Sequence, residues 1–384
     1  MIRRLSVSNF LSLNGFSLDF TQRNVLVGPN MSGKSNIISA LEFLTRFLST
    51  NLNQALLEQQ SLGDVLFLGE DNKSFLIEFS IECDGPEENE AFDYTLKLQG
   101  GIPGAFVIES EQLNLNRNDK KIPLIAIERG QGSILHLNGE SVFSAPGTNH
   151  SALEFAIPGW YGSRIKSLIA RWQYFALVPL LMKTPSAIKG ESFLRKDGSN
   201  FSSWFMTFQT QYPREYREIK NAATSCLPDL EEILTVPTQT STAFLATKEK
   251  GLKRNVPIWR MSDGELVFLA YLSLLYAPTD LGAPVVCIEE PENFLNPKLL
   301  EQLLEIHDQR RKSLGKGASQ LIITTHSPSL VNKIDIDDLI VVRKRGGATF
   351  AIRASEIGPG FKSLLQNDEI GLGELWQSGA LNAD

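Results

Sequence analysis

The stretch Gly28-Pro29-Asn30-Met31-Ser32-Gly33-Lys34-Ser35 decides how the chain is read. It has the GxxxxGKS spacing of a phosphate-binding loop (P-loop), in which glycines let the backbone wrap so that its N–H groups and the following helix N-terminus face a polyphosphate. Lys34 would supply a point charge and Ser35 a magnesium ligand. The flanks agree: Asn24 to Val27 is an apolar run that reads as a strand, and an apolar periodicity predicts a helix from about Gly33 to Leu48. A chance glycine-rich turn before a helix is the competing reading, and the strand-loop-helix context disfavours it.

Three later stretches carry compatible chemistry. Val285-Val286-Cys287-Ile288-Glu289-Glu290-Pro291-Glu292 places carboxylates where a buried strand emerges at its carboxyl end, the edge at which α/β sheets bind ligands. Glu289 is assigned to a metal and Glu290 to the attacking water. Leu321 to Pro328 is another apolar run ending in polar residues and offers His326 as a sensor of the γ-phosphate. Met261-Ser262-Asp263-Gly264-Glu265 precedes an apolar helix, Leu266 to Tyr276. Alone, Ser262 or Asp263 is a good helix cap with an acid in the first turn; the same helix N-terminus could serve a phosphate bound by another subunit.

Between Ser74 and Val142 the apolar residues recur with period two, as in Phe75, Ile77, Phe79 and Ile81, which predicts an antiparallel β region with turns at Asp84 to Asn89 and at Asn138-Gly139. Short strands are expected before it, around Leu5 and Val7 and around Phe16 to Phe20. From Trp160 helices are expected to dominate, including a long one from Phe201 to Cys226 whose Phe205, Phe208, Tyr212 and Tyr216 read as core rather than as a base-stacking platform. From Val285 a strand-helix-strand-helix rhythm signals a parallel sheet.

Of 384 residues, 42% are hydrophobic and 21% charged, with a formal net charge of −7. That composition suits a globular protein with a sizeable core and excludes one coated for nonspecific nucleic-acid binding, while leaving a local basic patch open. Lys248, Lys250, Lys253 and Arg254, or Arg343, Lys344 and Arg345, would be the DNA track; solvated loop charge is their simpler reading. Cys83, Cys226 and Cys287 lack metal spacing and read as reduced structural thiols. With no secretory h-region and no membrane-length apolar run, a cytoplasmic protein is expected.

In this order, GPNMSGKS, MSDGE, IEEPENFLNP and THS resemble the RecF/SMC/OLD branch of ABC-type ATPases, and within it the compact bacterial AAA family ATPases of AAA-21 or OLD-like type that lack a nuclease domain. The resemblance also takes in Gly371 to Trp376. It implies an α/β fold: a P-loop NTPase head with a mixed, partly parallel sheet, an antiparallel β insertion and a helical lobe, divided as 1–150, 151–260 and 261–384. It implies ATP and Mg2+ as cofactors, with nucleotide contacts at Gly28, Asn30, Ser32, Gly33, Lys34, Ser35 and Asn36. Ser262 and Gly264 would make trans contacts, Glu290, His326 and Lys34 would be catalytic, and Ser35 and Glu289 would hold the metal. Glu289 departs from the usual aspartate, Asn296 stands where relatives often have histidine, and Gln173 is the weak candidate for the Q-loop glutamine. The implied protein is a homodimer that sandwiches ATP and gates a separate effector, nuclease or toxin, in anti-phage defence. A RecF-like DNA repair factor and an ATP-held scaffold with negligible turnover remain as alternatives.

Overall fold

The computed structural model describes residues 1–57, 65–67, 69, 75–100, 106–144, 147–278, 281–357 and 373. They divide into two compact units, one of Met1–Trp172 with 335–357, the other of Gln173–Ile334 with Gly373. The segment 151–260, one block in the sequence reading, is therefore shared between them. The run Gly371 to Trp376 lies outside the described residues except for Gly373.

In the first unit the period-two residues form an antiparallel sheet of eight strands. Leu76–Asp84 is its clearest member: Ile77, Phe79, Ile81 and Cys83 face inward while their neighbours face out. The strand pairs on one side with Glu90–Gly100 and on the other with the N-terminal Ile2–Ser8. The opening strands and the expected insertion are thus one sheet. Its buried face covers the helix Lys34–Ser49, where Phe79 stacks on Phe43 with ring centroids 5.2 Å apart and Phe10 packs against both. Each such buried phenylalanine contributes about 1.5–3 kcal/mol relative to exposure, so the helix behind the glycine loop rests on a rigid platform.

A smaller group of strands lies in the same unit. Arg23–Val27, buried throughout, runs parallel to Leu339–Arg345, which turns back antiparallel as Ala348–Arg353. Continuous burial is why the apolar residues Val25 to Val27 are consecutive rather than alternating with polar ones. Arg23, 2% exposed, is held by Asp338 at 2.8 Å.

The second unit contains three parallel strands, Gln173–Phe175, Val285–Glu289 and Gln320–Thr325. The helix Asp263–Tyr276 is buried over its whole middle, Leu266 to Leu274, and so reads as apolar on all sides. Two expectations need correction. The single helix from Phe201 to Cys226 is two, Phe201–Gln211 and Pro213–Cys226, because Pro213 excludes the helical conformation from Tyr212. The region expected to be helical also carries the hairpin Leu230–Pro237 and Thr242–Glu249, whose burial follows no clean alternation. Phe205 and Phe208 are fully buried beside Trp204, which makes them core.

Candidate nucleotide site

In the first unit the loop Gly28 to Gly33 leaves the buried strand Arg23–Val27 and enters the helix at Lys34. Two of its glycines are required by close approach. A Cβ on Gly28 would lie 2.3 Å from the Val342 carbonyl oxygen, and one on Gly33, whose φ is +103°, would lie 1.9 Å from Thr349 Oγ1. The hairpin formed by the strands around Val342 and Thr349 is therefore the floor of the loop. Lys34 Nζ donates to the carbonyls of Gly28 at 2.9 Å and Pro29 at 3.2 Å, folding over the loop where phosphate oxygens would compete for it. Ser32 is 2% exposed and its hydroxyl has no hydrogen-bond partner. A buried orphan hydroxyl is costly unless a ligand satisfies it, and with a lysine ammonium and glycines at both ends of the loop it fits a phosphate group. Ser35 is exposed at the helix start, while Asn36, expected on the nucleotide, donates to Ser12 Oγ at 2.6 Å.

In the second unit the strand ends bring the expected carboxylate and histidine together. Val285–Glu289 and Gln320–Thr325 run in register, Glu289 beside Thr324. Just beyond these ends, Glu290 Oε1 lies 3.2 Å from His326 Nε2. Glu290 has φ +43°, and its backbone N–H donates to the Thr324 carbonyl at 3.0 Å. A left-handed conformation in a side chain as long as glutamate is strained, and such strain concentrates at functional sites.

Glu292, quoted in the sequence without a role, proves to be the brace of the histidine turn. Its Oε1 accepts from Thr325 Oγ1 at 2.8 Å and from the His326 backbone N–H at 2.5 Å. Burial, and after it the nearby Glu289 and Glu292, pushes the Tyr271 phenol well above its ordinary range. Asn296 is a helix cap, accepting from Leu299 N–H at 3.0 Å. Gln173 pairs in register with Val286, three residues short of Glu289, so the parallel register does not bring it to the carboxyl edge.

The signature stretch caps the buried helix as expected. Ser262 is exposed and its hydroxyl accepts from Glu265 N–H at 3.1 Å. Gly264 cannot carry a side chain freely, since a Cβ would sit 2.9 Å from the Phe294 carbonyl. Asp263 is paired with Lys183 at 2.5 Å. Burial, then the neighbouring Glu249, raises the Glu265 carboxyl above its usual range.

Of the basic residues proposed for DNA, Lys248 pairs with Glu231 at 2.9 Å and Lys250 donates to the Pro228 carbonyl at 2.6 Å, while Lys253 and Arg254 are exposed. All three cysteines are free thiols, Cys83 and Cys287 buried. No helix among the described residues is long and apolar enough to cross a membrane.

The glycine loop on a buried strand and helix in the first unit, and the carboxylate and histidine on adjacent parallel strand ends in the second, are each features of an ATP hydrolase of the ABC type. The chain belongs to the AAA_21 family, described as "AAA domain, putative AbiEii toxin, Type IV TA system", which matches residues 23–332. A curated relative, the DNA replication and repair protein RecF of Psychromonas ingrahamii, is 31% identical over 102 residues, 26% of this chain and 27% of that protein. The aligned part thus spans about a quarter of that relative's length. Two solved structures share the fold at low identity. An SMC head bound to the C-winged helix domain of ScpA is 15% identical at TM-score 0.58, covering 91% of this chain and 96% of that one. An Smc head with an extended coiled coil, bound to the C-terminal domain of ScpA derived from Pyrococcus furiosus, is 14% identical at TM-score 0.54, covering 96% and 99%.

Proposed function

We propose that two copies of this ATPase close on ATP, each completing the other's site, and that the cycle gates a separate effector, a nuclease or toxin, in anti-phage defence. Asn30, Ser32, Gly33 and Lys34 take the phosphates. Ser35 and Glu289 would hold Mg2+, which when bound neutralises phosphate charge. Glu289 is one methylene longer than aspartate and suits contact through water. Glu290 accepts a proton from the water that adds to the γ-phosphorus as the bond to the β,γ-bridging oxygen breaks. His326, held at Glu290 by the brace of Glu292, senses the γ-phosphate.

The observation that carries the dimer is Ser262. It is an exposed hydroxyl at the N-terminus of a helix whose middle, Leu266 to Leu274, is buried, so that helix end offers N–H donors and a favourable dipole to an anion. A partner effector is supported by the family's description, which names a toxin of a type IV system. The second reading, a DNA-binding repair factor, is favoured by the match to RecF.

Mixing two inactive variants tests the composite site. In a mixed dimer of Lys34→Ala and Ser262→Arg, one site has the intact loop of the second variant and the intact signature of the first, and the other site carries both defects. Once subunit exchange is shown with labelled protein, binding of a γ-phosphate analogue should return at one of the two sites of each mixed dimer. Exchange without any return of binding sinks the shared site.

A further inference from the structure

We propose that Thr349 is a positioning residue for the phosphate-binding loop, its hydroxyl turning the Ser32–Gly33 peptide so that the Gly33 N–H faces the phosphate. This rests on reading Gly28 to Ser35 as the nucleotide loop. Thr349 lies 317 positions from Ser32 in sequence, and no motif marks it. It is fully buried on the strand Ala348–Arg353, and its backbone N–H donates to the Ser12 carbonyl at 2.7 Å.

Four polar groups form a chain whose direction the chemistry dictates. The Asn36 amide can only donate from Nδ2, and it donates to Ser12 Oγ at 2.6 Å. The Ser32 carbonyl can only accept, and it accepts from Thr349 Oγ1 at 3.0 Å. Thr349 has one hydroxyl proton and spends it there. The contact of 2.6 Å between Ser12 Oγ and Thr349 Oγ1 must therefore run from serine to threonine. Every hydroxyl in the chain donates once and accepts once, so neither can rotate without losing a bond.

The consequence for the loop follows from peptide planarity. In a trans peptide the C=O of one residue and the N–H of the next point in opposite directions. Fixing the Ser32 carbonyl outward on Thr349 aims the Gly33 N–H the other way, into the loop. It also explains why position 33 is glycine: the threonine hydroxyl stands 1.9 Å from where a Cβ would be, and φ is +103°. Without the Thr349 hydroxyl this peptide is free to rotate, and ATP binding would bear the cost of ordering it.

Thr349→Val removes the hydroxyl and keeps the shape. One net hydrogen bond is worth about 0.5–1.5 kcal/mol, so the dissociation constant for ATP should rise about tenfold at the upper end. KM should rise with it while kcat stays within about twofold, since no reacting atom is touched. Thr349→Ser, which restores the hydroxyl, should recover wild-type affinity. Calorimetric ATP titration and steady-state phosphate release, on variants that melt cooperatively, read all three. If the valine variant does not fold, Thr349→Ala cannot overfill the site and takes its place with the same expected outcome. Wild-type affinity without the hydroxyl overturns the proposal, as does equal weakness of the valine and serine variants, or a fall in kcat at unchanged KM. Lys34→Ala serves as the reference: if it binds ATP as the wild type does, the loop assignment itself has failed rather than the role of Thr349.

Discussion

Replacing Glu290 with Gln separates catalysis from binding and from stability. The amide keeps the volume and a carbonyl oxygen to accept from Asn293 Nδ2, now 3.2 Å from Glu290 Oε2. What disappears is the negative charge and the proton-accepting capacity. Side-chain general-base catalysis is worth about 10²- to 10⁴-fold, which at about 1.36 kcal/mol per decade is about 2.7–5.4 kcal/mol of barrier. The stability term is much smaller, because the side chains of Glu290 and His326 are 37% and 27% exposed and solvent screens their pair to under about 1 kcal/mol. Turnover by phosphate release should thus fall at least about a hundredfold while the thermal midpoint moves by only a few degrees. ATP affinity should hold or improve, since a carboxylate that repels the γ-phosphate is gone. Single-turnover measurement on preformed enzyme–ATP complex reports the chemical step directly. Hydrolysis within about threefold of wild type would refute the assignment and move the base to Glu289 or Glu292.

Glu90 gives a pH test. Burial pushes its carboxyl up, but hydrogen bonds from Tyr161 and Arg117 more than offset this and hold it below the usual range. A depressed carboxyl contributes stability above its unfolded pKa of about 4.3 and loses it as pH falls toward the folded value. The gap in melting temperature between wild type and Glu90→Gln should therefore narrow between about pH 5 and pH 3; a gap indifferent to pH contradicts the assignment. For the two functional readings, gel shifts at two salt concentrations decide, because neutralising several phosphates makes affinity fall steeply with ionic strength. Saturable, ATP-stimulated duplex binding that fades with salt favours the RecF-like reading, and no binding at low salt favours a protein effector.

The sequence by itself determined the chemistry that depends on near neighbours. A phosphate loop needs its glycines, lysine and serine at fixed offsets, so Gly28 to Ser35 was legible, as were the acidic strand end at Glu289-Glu290 and the capped helix at Ser262. Period-two alternation likewise declared Leu76–Asp84, because a strand with one buried face must alternate. Where the local pattern carried less, reading failed: the residue before Pro213 ended a helix that apolar periodicity alone would continue, and the hairpin Leu230–Pro237 has no alternation to find. Only the tertiary structure decided what supports the site. Thr349 meets Ser32 from 317 positions away, Asp338 meets Arg23 from 315, and Glu292 meets the His326 backbone from 34. A single hydrogen bond, whether to a backbone group or between two side chains as for Arg23 and Asp338, demands no particular neighbouring sequence, only an acceptor or donor at about 3 Å. Such partners leave no spacing to recognise, and they come together only when the strands and turns that carry them pack in the folded chain.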